Sequence, residues 1–264
     1  NITSKDNPRI RELAKLCASS HARRESGRYV IEGARLVCDA ARSGVAFSTV
    51  FFTPEGLRRA GATADCIAEA AQEVYSIDET LGKKIAQTES TQGVFALCEG
   101  RLLQESLPAE LSGGCLLLCS LQDPGNVGTI LRSADAFGLS AVILTADCPD
   151  PASPKVLRAS MGAAFRLPLV GAPDAAAAID ALRARGLQVY AAALSKDSVP
   201  IREASLRGAA VAIGNEGAGL SDETIARCDQ TVTIPIALGS ESLNAAMAAT
   251  IFAWELSGAG RTEK

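Results

Sequence analysis

The sequence predicts an α/β protein whose C-terminal part is built on a parallel β-sheet. Two observations lead to this prediction. The apolar runs of strand length are continuous rather than alternating, which is typical of strands that are covered on both faces. Segments with helical spacing of apolar residues separate these runs, so that β and α elements alternate. The chain has 264 residues, 47% of them hydrophobic, which favours two domains with packed cores.

Residues 1–105 are predicted to form a small α/β unit. Its first helix follows Asn7, a favourable N-cap, and Pro8, which suits the first helical position. Another helix is expected to begin after Asp78, a favourable N-cap. The predicted strands of this unit are 29–31, 47–52 and 94–98, and its two later helices are 32–43 and 78–86.

A linker is predicted at residues 106–112, because Pro108 lies there and a Ser-Gly-Gly cluster closes the segment. A longer β–α alternation follows in a second domain over residues 113–264. Its predicted strands are 115–121, 141–144, 188–193, 209–213 and 231–236. Its predicted helices are 127–137, 155–164, 175–185 and 243–257.

Three polar, glycine-containing blocks follow apolar strands of the second domain. They are DPGNVGTILRSA at 123–134, IGNEGAGLS at 213–221 and IPIALGSESLNAAMAATI at 234–251. The carboxyl ends of parallel strands meet at one edge of a sheet, so we expect the blocks to gather there. Ligands of open α/β sheets bind at that edge.

In this order, the three blocks resemble the motifs of the SpoU/TrmH-type RNA ribose 2′-O-methyltransferases of the SPOUT superfamily. RYVIEGARLVCDA at 28–40 and TESTQGVFALCE at 88–99 resemble the substrate-binding domain that precedes the catalytic domain in many members. The resemblance covers essentially the whole chain. It implies a ribosomal-protein-L30-like N-terminal domain, a C-terminal domain with a trefoil knot, S-adenosylmethionine as methyl donor, an RNA substrate and a homodimer.

The resemblance also implies the site residues. It assigns catalytic roles to Asn126, Arg132, Glu216, Ser242 and Asn244. Arg132 would be central, with Asn126 as its positional partner. A guanidinium is not readily deprotonated, so we expect Arg132 to orient the ribose and stabilise the developing 2′-oxyanion rather than act as a base. From the residues alone, a surface ion pair for Arg132 and helix capping by Ser242 and Asn244 remain alternatives.

Cofactor binding is expected from loops after three strands. By resemblance, the residues are Leu194, Gly214, Asn215, Ile234, Ile236 and Leu243. The block at 213–221 is neither a P-loop nor a G-x-G-x-x-G fingerprint, and a tight turn is the alternative reading of its glycines.

Positive charge is concentrated in residues 1–42, which contain nine Lys/Arg and five Asp/Glu, whereas the whole chain has a net charge of −4. Arg23, Arg24 and Arg28 are therefore candidate RNA phosphate contacts. A solvated surface loop is the alternative.

Other chemistries are disfavoured by composition. His21 is the only histidine, so a His-based triad and a two-His metal site are unavailable within one chain, and no metal is expected. No apolar run approaches the ~18 residues of a membrane span, and no membrane association is expected. Most of the eight cysteines lie in apolar segments, which favours core packing and a reducing, cytoplasmic location.

The expected activity is methyl transfer from S-adenosylmethionine to a ribose 2′-hydroxyl of RNA. The N-terminal domain favours ribosomal RNA over transfer RNA. Three alternatives remain open: a tRNA 2′-O-methyltransferase, a base methyltransferase on the same scaffold, and a non-catalytic RNA-binding factor.

Overall fold

The computed structural model describes residues 1–86, 90–195, 197–237 and 242–258. Residues 88 and 89 of one resemblance segment and residues 238–241 of the third block lie outside these ranges. The chain divides into two compact units, one formed by Asn1–Leu102 and Asp150–Phe165, the other by Leu103–Pro149 and Arg166–Lys264. Within the described ranges, no helix has the length and apolar character needed to cross a bilayer.

In chain order the helices are α1 (Pro8–Ala18), α2 (Ser20–Ser26), α3 (Ala34–Arg42), α4 (Pro54–Ala60), α5 (Thr63–Glu69), α6 (Glu79–Ala86), α7 (Pro124–Ala136), α8 (Pro154–Ser160), α9 (Ala175–Ala184), α10 (Asp222–Arg227) and α11 (Ala245–Ser257). The strands are β1 (Arg28–Glu32), β2 (Phe47–Phe52), β3 (Ala71–Ser76), β4 (Val94–Glu99), β5 (Leu103–Gln104), β6 (Cys115–Leu118), β7 (Ala141–Thr145), β8 (Leu169–Ala172), β9 (Val189–Ala192), β10 (Val199–Pro200), β11 (Ala210–Ile213) and β12 (Gln230–Thr233).

The first unit contains a four-stranded sheet in the order β1-β4-β2-β3. The β1–β4 and β4–β2 pairs are antiparallel, and β2–β3 is parallel. The predicted first helix is confirmed: Asn7 accepts a hydrogen bond from the backbone N–H of Arg9, and Ile10, Leu13 and Leu16 are buried. Asp78 caps α6 as expected, through the N–H of Leu81 at 2.7 Å.

Some element bounds in the first unit differ from the sequence prediction. The second predicted helix was placed from residue 32, but Glu32 ends β1 and α3 begins at Ala34. Gly33 separates them with φ of 105°, a conformation that L side chains rarely adopt. The prediction also missed β3, because this edge strand exposes most of its side chains and has no apolar run.

The second unit contains an eight-stranded sheet in the order β10-β12-β9-β11-β6-β7-β8-β5. Every pair among the described strands is parallel, so the predicted parallel sheet is confirmed. β6 and β11 are neighbours near its middle, and β9 lies between β11 and β12. The loops after these four strands therefore lie side by side at one edge of the sheet.

Residues 150–165 follow β7 in the chain but pack within the first unit. Asp150 accepts a hydrogen bond from Nε of Arg23 at 2.6 Å, and Nη1 of Arg158 lies 3.6 Å from the carboxylate of Glu32. The predicted helix 155–164 ends earlier, at Ser160, because Met161 adopts a left-handed conformation with φ of 50°.

The cysteines mostly match the expectation of core packing. Burial raises the pKa of Cys115 and of Cys119 to about 12, so both are neutral thiols. Cys66, which was expected in the core, is exposed on α5. All eight cysteines are free in the described residues.

Candidate active site

The first block begins at the start of α7, where Asp123 caps the helix. Its side chain accepts a hydrogen bond from the N–H of Gly125 at 2.8 Å, and Pro124 occupies the first helical position. A proline there loses no hydrogen bond, because the first N–H groups of a helix have no partner within it. Asn126 is therefore fixed in the first turn of α7, at the edge of the sheet.

Glu216, in the second block, holds the first block in place. Its carboxylate accepts hydrogen bonds from the backbone N–H of Gln122 at 2.9 Å and of Asp123 at 3.0 Å, and from the side-chain amide of Asn126 at 3.0 Å. Burial raises the pKa of Glu216, but these hydrogen bonds outweigh it, and the net pKa lies below the usual value. The carboxylate is therefore ionised at neutral pH.

Asn126 also contacts the third block. Its Oδ1 accepts a hydrogen bond from Nδ2 of Asn244 at 3.1 Å. Asn244 caps α11 by accepting from the N–H of Ala246 at 2.9 Å and of Met247 at 3.3 Å. Capping and site formation thus coexist at Asn244, and Asn126 joins all three blocks.

The same face of α7 packs along α11. Ser133 hydrogen-bonds Thr250 at 2.8 Å, and Phe137 makes an edge-to-face contact with Trp254 at 5.5 Å between ring centroids. Arg132 precedes Ser133, so it projects about 100° away from this face. It is exposed and has no hydrogen-bond or ion-pair partner among the described residues. The structure does not bring Arg132 into the Asn126 network, nor does it show the surface ion pair that was the alternative.

Four of the predicted cofactor residues line one cleft. Leu194, Ile234, Ile236 and Leu243 surround a volume of about 610 Å³ at the ends of β9 and β12. Ser242 lines the same cleft, together with Phe252 of α11. Leu194 is 86% exposed, so its side chain is accessible to a ligand in the cleft. Apolar walls of this size suit an adenosine group, so the residues fit S-adenosylmethionine.

Gly214 and Asn215 shape the second block instead of lining that cleft. A Cβ on Gly214 would lie 2.3 Å from the backbone of Gly219, so glycine is required by the closure of the turn. Asn215 accepts from the N–H groups of Gly217 and Ala218, both at 2.9 Å, and donates to the carbonyl of Ser120 at 2.8 Å.

A second hollow, of about 780 Å³, lies at the ends of β6, β7 and β8. Polar and apolar side chains both line it, and the polar ones include Ser120, Thr145, Asp147 and Asn215. No predicted catalytic residue lines it. Among the described residues, no group of His, Cys, Asp and Glu has the arrangement of a metal site.

The three arginines proposed for RNA binding differ in their surroundings. Arg23 is only 6% exposed; it pairs with Asp150 and donates to the carbonyl of Leu16. Arg28 is half-buried and pairs with Glu12. Arg24 is exposed, and its Nη2 donates a hydrogen bond to Oγ of Ser20 at 3.3 Å.

Sequence reasoning missed several groups whose hydrogen bonds hold the first block in place. These are the backbone N–H groups of Gln122 and Asp123, and Ser120 with its partner Thr145. Backbone donors leave no signal in a sequence, and a threonine at the end of an apolar strand looks like an ordinary strand residue.

Two protein-family models match this chain. Residues 114–254 match the SpoU rRNA Methylase family, and residues 7–96 match the MRM3-like substrate binding domain. The chain belongs to the SpoU rRNA methylase family. The predicted enzyme class, an S-adenosylmethionine-dependent RNA 2′-O-ribose methyltransferase, is confirmed.

Individual relatives align over nearly the whole chain. The 23S rRNA (guanosine(2553)-2′-O)-methyltransferase RlmP of Bacillus subtilis is 31% identical, covering 97% of this chain and 99% of its own. The 23S rRNA (uridine(2479)-2′-O)-methyltransferase of Streptomyces viridochromogenes is 29% identical, covering 96% and 90%. An S-adenosylmethionine-bound rRNA methyltransferase from Sinorhizobium meliloti superposes with a TM-score of 0.84 at 29% identity, covering 99% and 98%.

Proposed function

We propose that this SpoU-family protein methylates a ribose 2′-hydroxyl of ribosomal RNA at the site formed by its three blocks. The observation that supports this most is the position of Asn126, held between Glu216 and Asn244. That network fixes a polar side chain at the edge of the sheet where the blocks meet. The names of relatives that align over nearly the full chain favour ribosomal over transfer RNA as the substrate.

The apolar cleft is proposed to hold S-adenosylmethionine. Leu194, Ile234, Ile236 and Leu243 would form the walls around the adenosine group, and Ser242 would contribute a hydroxyl. Gly214 and Asn215 act on the cofactor only by shaping the second block. When bound, S-adenosylmethionine supplies a methyl group on a sulfonium, which is already an activated leaving group.

The protein groups then have mainly to orient and to stabilise charge. Asn126 is proposed to position the ribose, while Glu216 keeps the Asn126 carboxamide in one orientation. As the proton of the 2′-hydroxyl passes to solvent water, Arg132 is proposed to stabilise the negative charge that develops on the 2′-oxygen, as a preorganised cation does in other transition states. Its guanidinium has no partner in the described residues, so it is available to substrate. Methyl transfer by these groups requires no metal.

A homodimer is part of the proposal. Met247, Ile251 and Trp254 are exposed at helical spacing along α11, and an exposed apolar stripe of this kind is typical of an interface. We propose that a second copy of the chain covers the stripe. Arg132 lies on the neighbouring helix, so such a dimer would bring the partner's surface close to it.

RNA recognition is proposed for the first unit, through Arg24 and, in part, Arg28. Arg23 is left out of this surface, because its guanidinium is buried in the pair with Asp150.

The L30-like character of this unit, the trefoil knot, and the domain bounds 1–105 and 113–264 remain predictions. Action in the cytoplasm is likewise proposed, because unpaired cysteines are typical of a reducing compartment.

The test is a competition assay with purified protein, labelled S-adenosylmethionine, and a mixture of unmodified ribosomal and transfer RNA. We expect label in ribosomal RNA only. Label in transfer RNA would contradict the proposed substrate, and label in neither would contradict the proposed function. The control is the Leu243→Asp variant, which should label several-fold less RNA when the cofactor concentration is near the Kd of the wild type.

A further inference from the structure

We propose that Thr145 is a positioning residue for methyl transfer, because its hydroxyl fixes Ser120 and so the loop that carries Asn126. Thr145 ends β7 and belongs to none of the three blocks. The inference rests on the proposed function of the site, to which it adds a residue from outside the three blocks.

Ser120 has an unusual backbone conformation. Its φ is 55°, one of two non-glycine residues with positive φ in the described chain. Such a conformation is unfavourable for a residue with a side chain and persists only where surrounding contacts hold it. Ser120 lies between the end of β6 and the first block, so its conformation sets the direction in which the chain leaves the sheet.

Hydrogen bonds with side chains hold both polar backbone groups of Ser120. Its N–H donates to Oγ1 of Thr145 at 3.0 Å. Its carbonyl accepts from Nδ2 of Asn215 at 2.8 Å and from Nε2 of Gln122 at 3.1 Å. Thr145 is 5% exposed, so water cannot readily replace its hydroxyl as the acceptor.

The Thr145 hydroxyl is itself oriented. It donates to Oδ1 of Asp147 at 2.5 Å, which leaves its lone pairs for the N–H of Ser120. Hydrogen bonds from Ser120 and Thr145 lower the pKa of Asp147, so this carboxylate stays an acceptor at neutral pH. A hydroxyl with one fixed donor direction is a better-defined acceptor than a free one.

The link to the reacting groups runs through two neighbouring residues. Asn215 holds the carbonyl of Ser120, and Glu216 holds the N–H groups of Gln122 and Asp123 together with Asn126. Hydrogen bonds therefore connect both ends of the stretch from Ser120 to Asn126 to the second block. Removing the Thr145 contact frees Ser120 to leave its strained conformation and shifts Asn126. Thr145 is not among the residues that line the cofactor cleft.

The test compares Thr145→Val, which keeps the shape without the hydroxyl, with Thr145→Ser, which restores it. Thr49→Val is the matched control, since Thr49 is also 5% exposed in a strand, but in the first unit. We expect Thr145→Val to lower kcat about 10- to 100-fold, as misplacement of a positioning group does. The KM for RNA and the Kd for S-adenosylmethionine should stay within about twofold, and the serine variant should recover most of the rate.

A second readout does not need activity. In wild-type protein the side-chain amide protons of Asn126 should exchange slowly with solvent, and in Thr145→Val they should exchange faster, while those in Thr49→Val stay unchanged. If wild-type protein methylated no RNA, the proposed function would fail and this measurement alone would decide the inference. If the valine variant did not fold, Asp147→Asn replaces it, and faster exchange at Asn126 is expected there too.

Three results would overturn the inference: unchanged kcat and exchange in the valine variant, a serine variant as slow as the valine one, or a parallel loss of cofactor binding. The last would mean that Thr145 supports the fold in general rather than the position of Asn126.

Discussion

The side-chain amide of Asn126 donates to the carboxylate of Glu216 across 3.0 Å, although ninety residues separate them in the chain. The same carboxylate binds two backbone N–H groups just before α7. Asn126 is thus held by the second block and, through Asn244, by the third.

Glu216→Gln should slow methyl transfer and change the dependence of stability on pH. Three donors converge on the carboxylate, and an amide would offer one oxygen and add donors of its own. We expect kcat to fall about 10- to 100-fold, with the Kd for S-adenosylmethionine unchanged.

The pKa of Glu216 is lowered in the folded state. Its stabilising contribution is therefore present above the unfolded pKa of about 4.3 and lost as the pH falls through the folded pKa. The difference in unfolding free energy between wild type and Glu216→Gln should be constant above about pH 5.5 and shrink below about pH 4. A difference that grew on acidification would contradict the assignment.

Arg132→Ala should lower the rate of transfer to RNA about 100-fold, because one preorganised charged group is lost. Arg132→Lys should recover little, since an ammonium lacks the planar fork of a guanidinium. Cofactor affinity by calorimetry should match that of the wild type. Arg202→Ala, at another exposed arginine of the same unit, is the control and should retain full activity. Normal turnover in Arg132→Ala would mean that Arg132 takes no part in methyl transfer.

Leu243→Asp should weaken cofactor binding by about 10-fold or more, because a carboxylate would be desolvated against the adenine ring of the cofactor. Calorimetry with a chelator present measures this and tests metal independence at once. Leu57→Asp is the matched control, since Leu57 is a similarly exposed leucine, but in the first unit. Equal affinity in both variants would mean that the cofactor binds elsewhere.

Ile251→Glu with Met247→Glu should produce a monomer. Both side chains are exposed on α11, and two charges in an interface core should raise the dimer dissociation constant by about 100-fold or more. Light scattering during gel filtration gives the mass directly. A wild-type protein that ran as a monomer at micromolar concentration would contradict the proposed dimer, and Leu57→Glu should leave the mass unchanged.

Arg23→Gln and Arg24→Gln should behave in opposite ways. Breaking the buried Arg23–Asp150 pair should cost about 3 kcal/mol of stability, with no change in the salt dependence of RNA binding. Arg24→Gln should leave stability within about 0.5 kcal/mol and reduce the slope of log affinity against log salt by about one. Denaturant unfolding and binding titrations measure the two effects. A reduced slope in the Arg23 variant, at unchanged stability, would mean that Arg23 contacts RNA after all.

Sequence patterns predicted most of the second unit because its strands are buried on both faces and read as apolar runs, as in β6 and β11. The edge strand β3 exposes most of its residues and carries no such signal. Motif resemblance found Asn126, Glu216 and Asn244, but a sequence cannot show which of them touch. It also could not distinguish Arg23 from Arg24, since burial of Arg23 depends on Asp150, which lies far along the chain.

Identifying the atom that receives the methyl group tests the central claim most directly. Wild-type protein is incubated with unmodified ribosomal RNA and S-adenosylmethionine, the RNA is digested to nucleosides, and the fragments are measured by tandem mass spectrometry. The account predicts a nucleoside whose ribose fragment is heavier by one methyl group and whose base is unchanged, and predicts its near absence with Arg132→Ala. A methyl group on the base fragment would contradict the account.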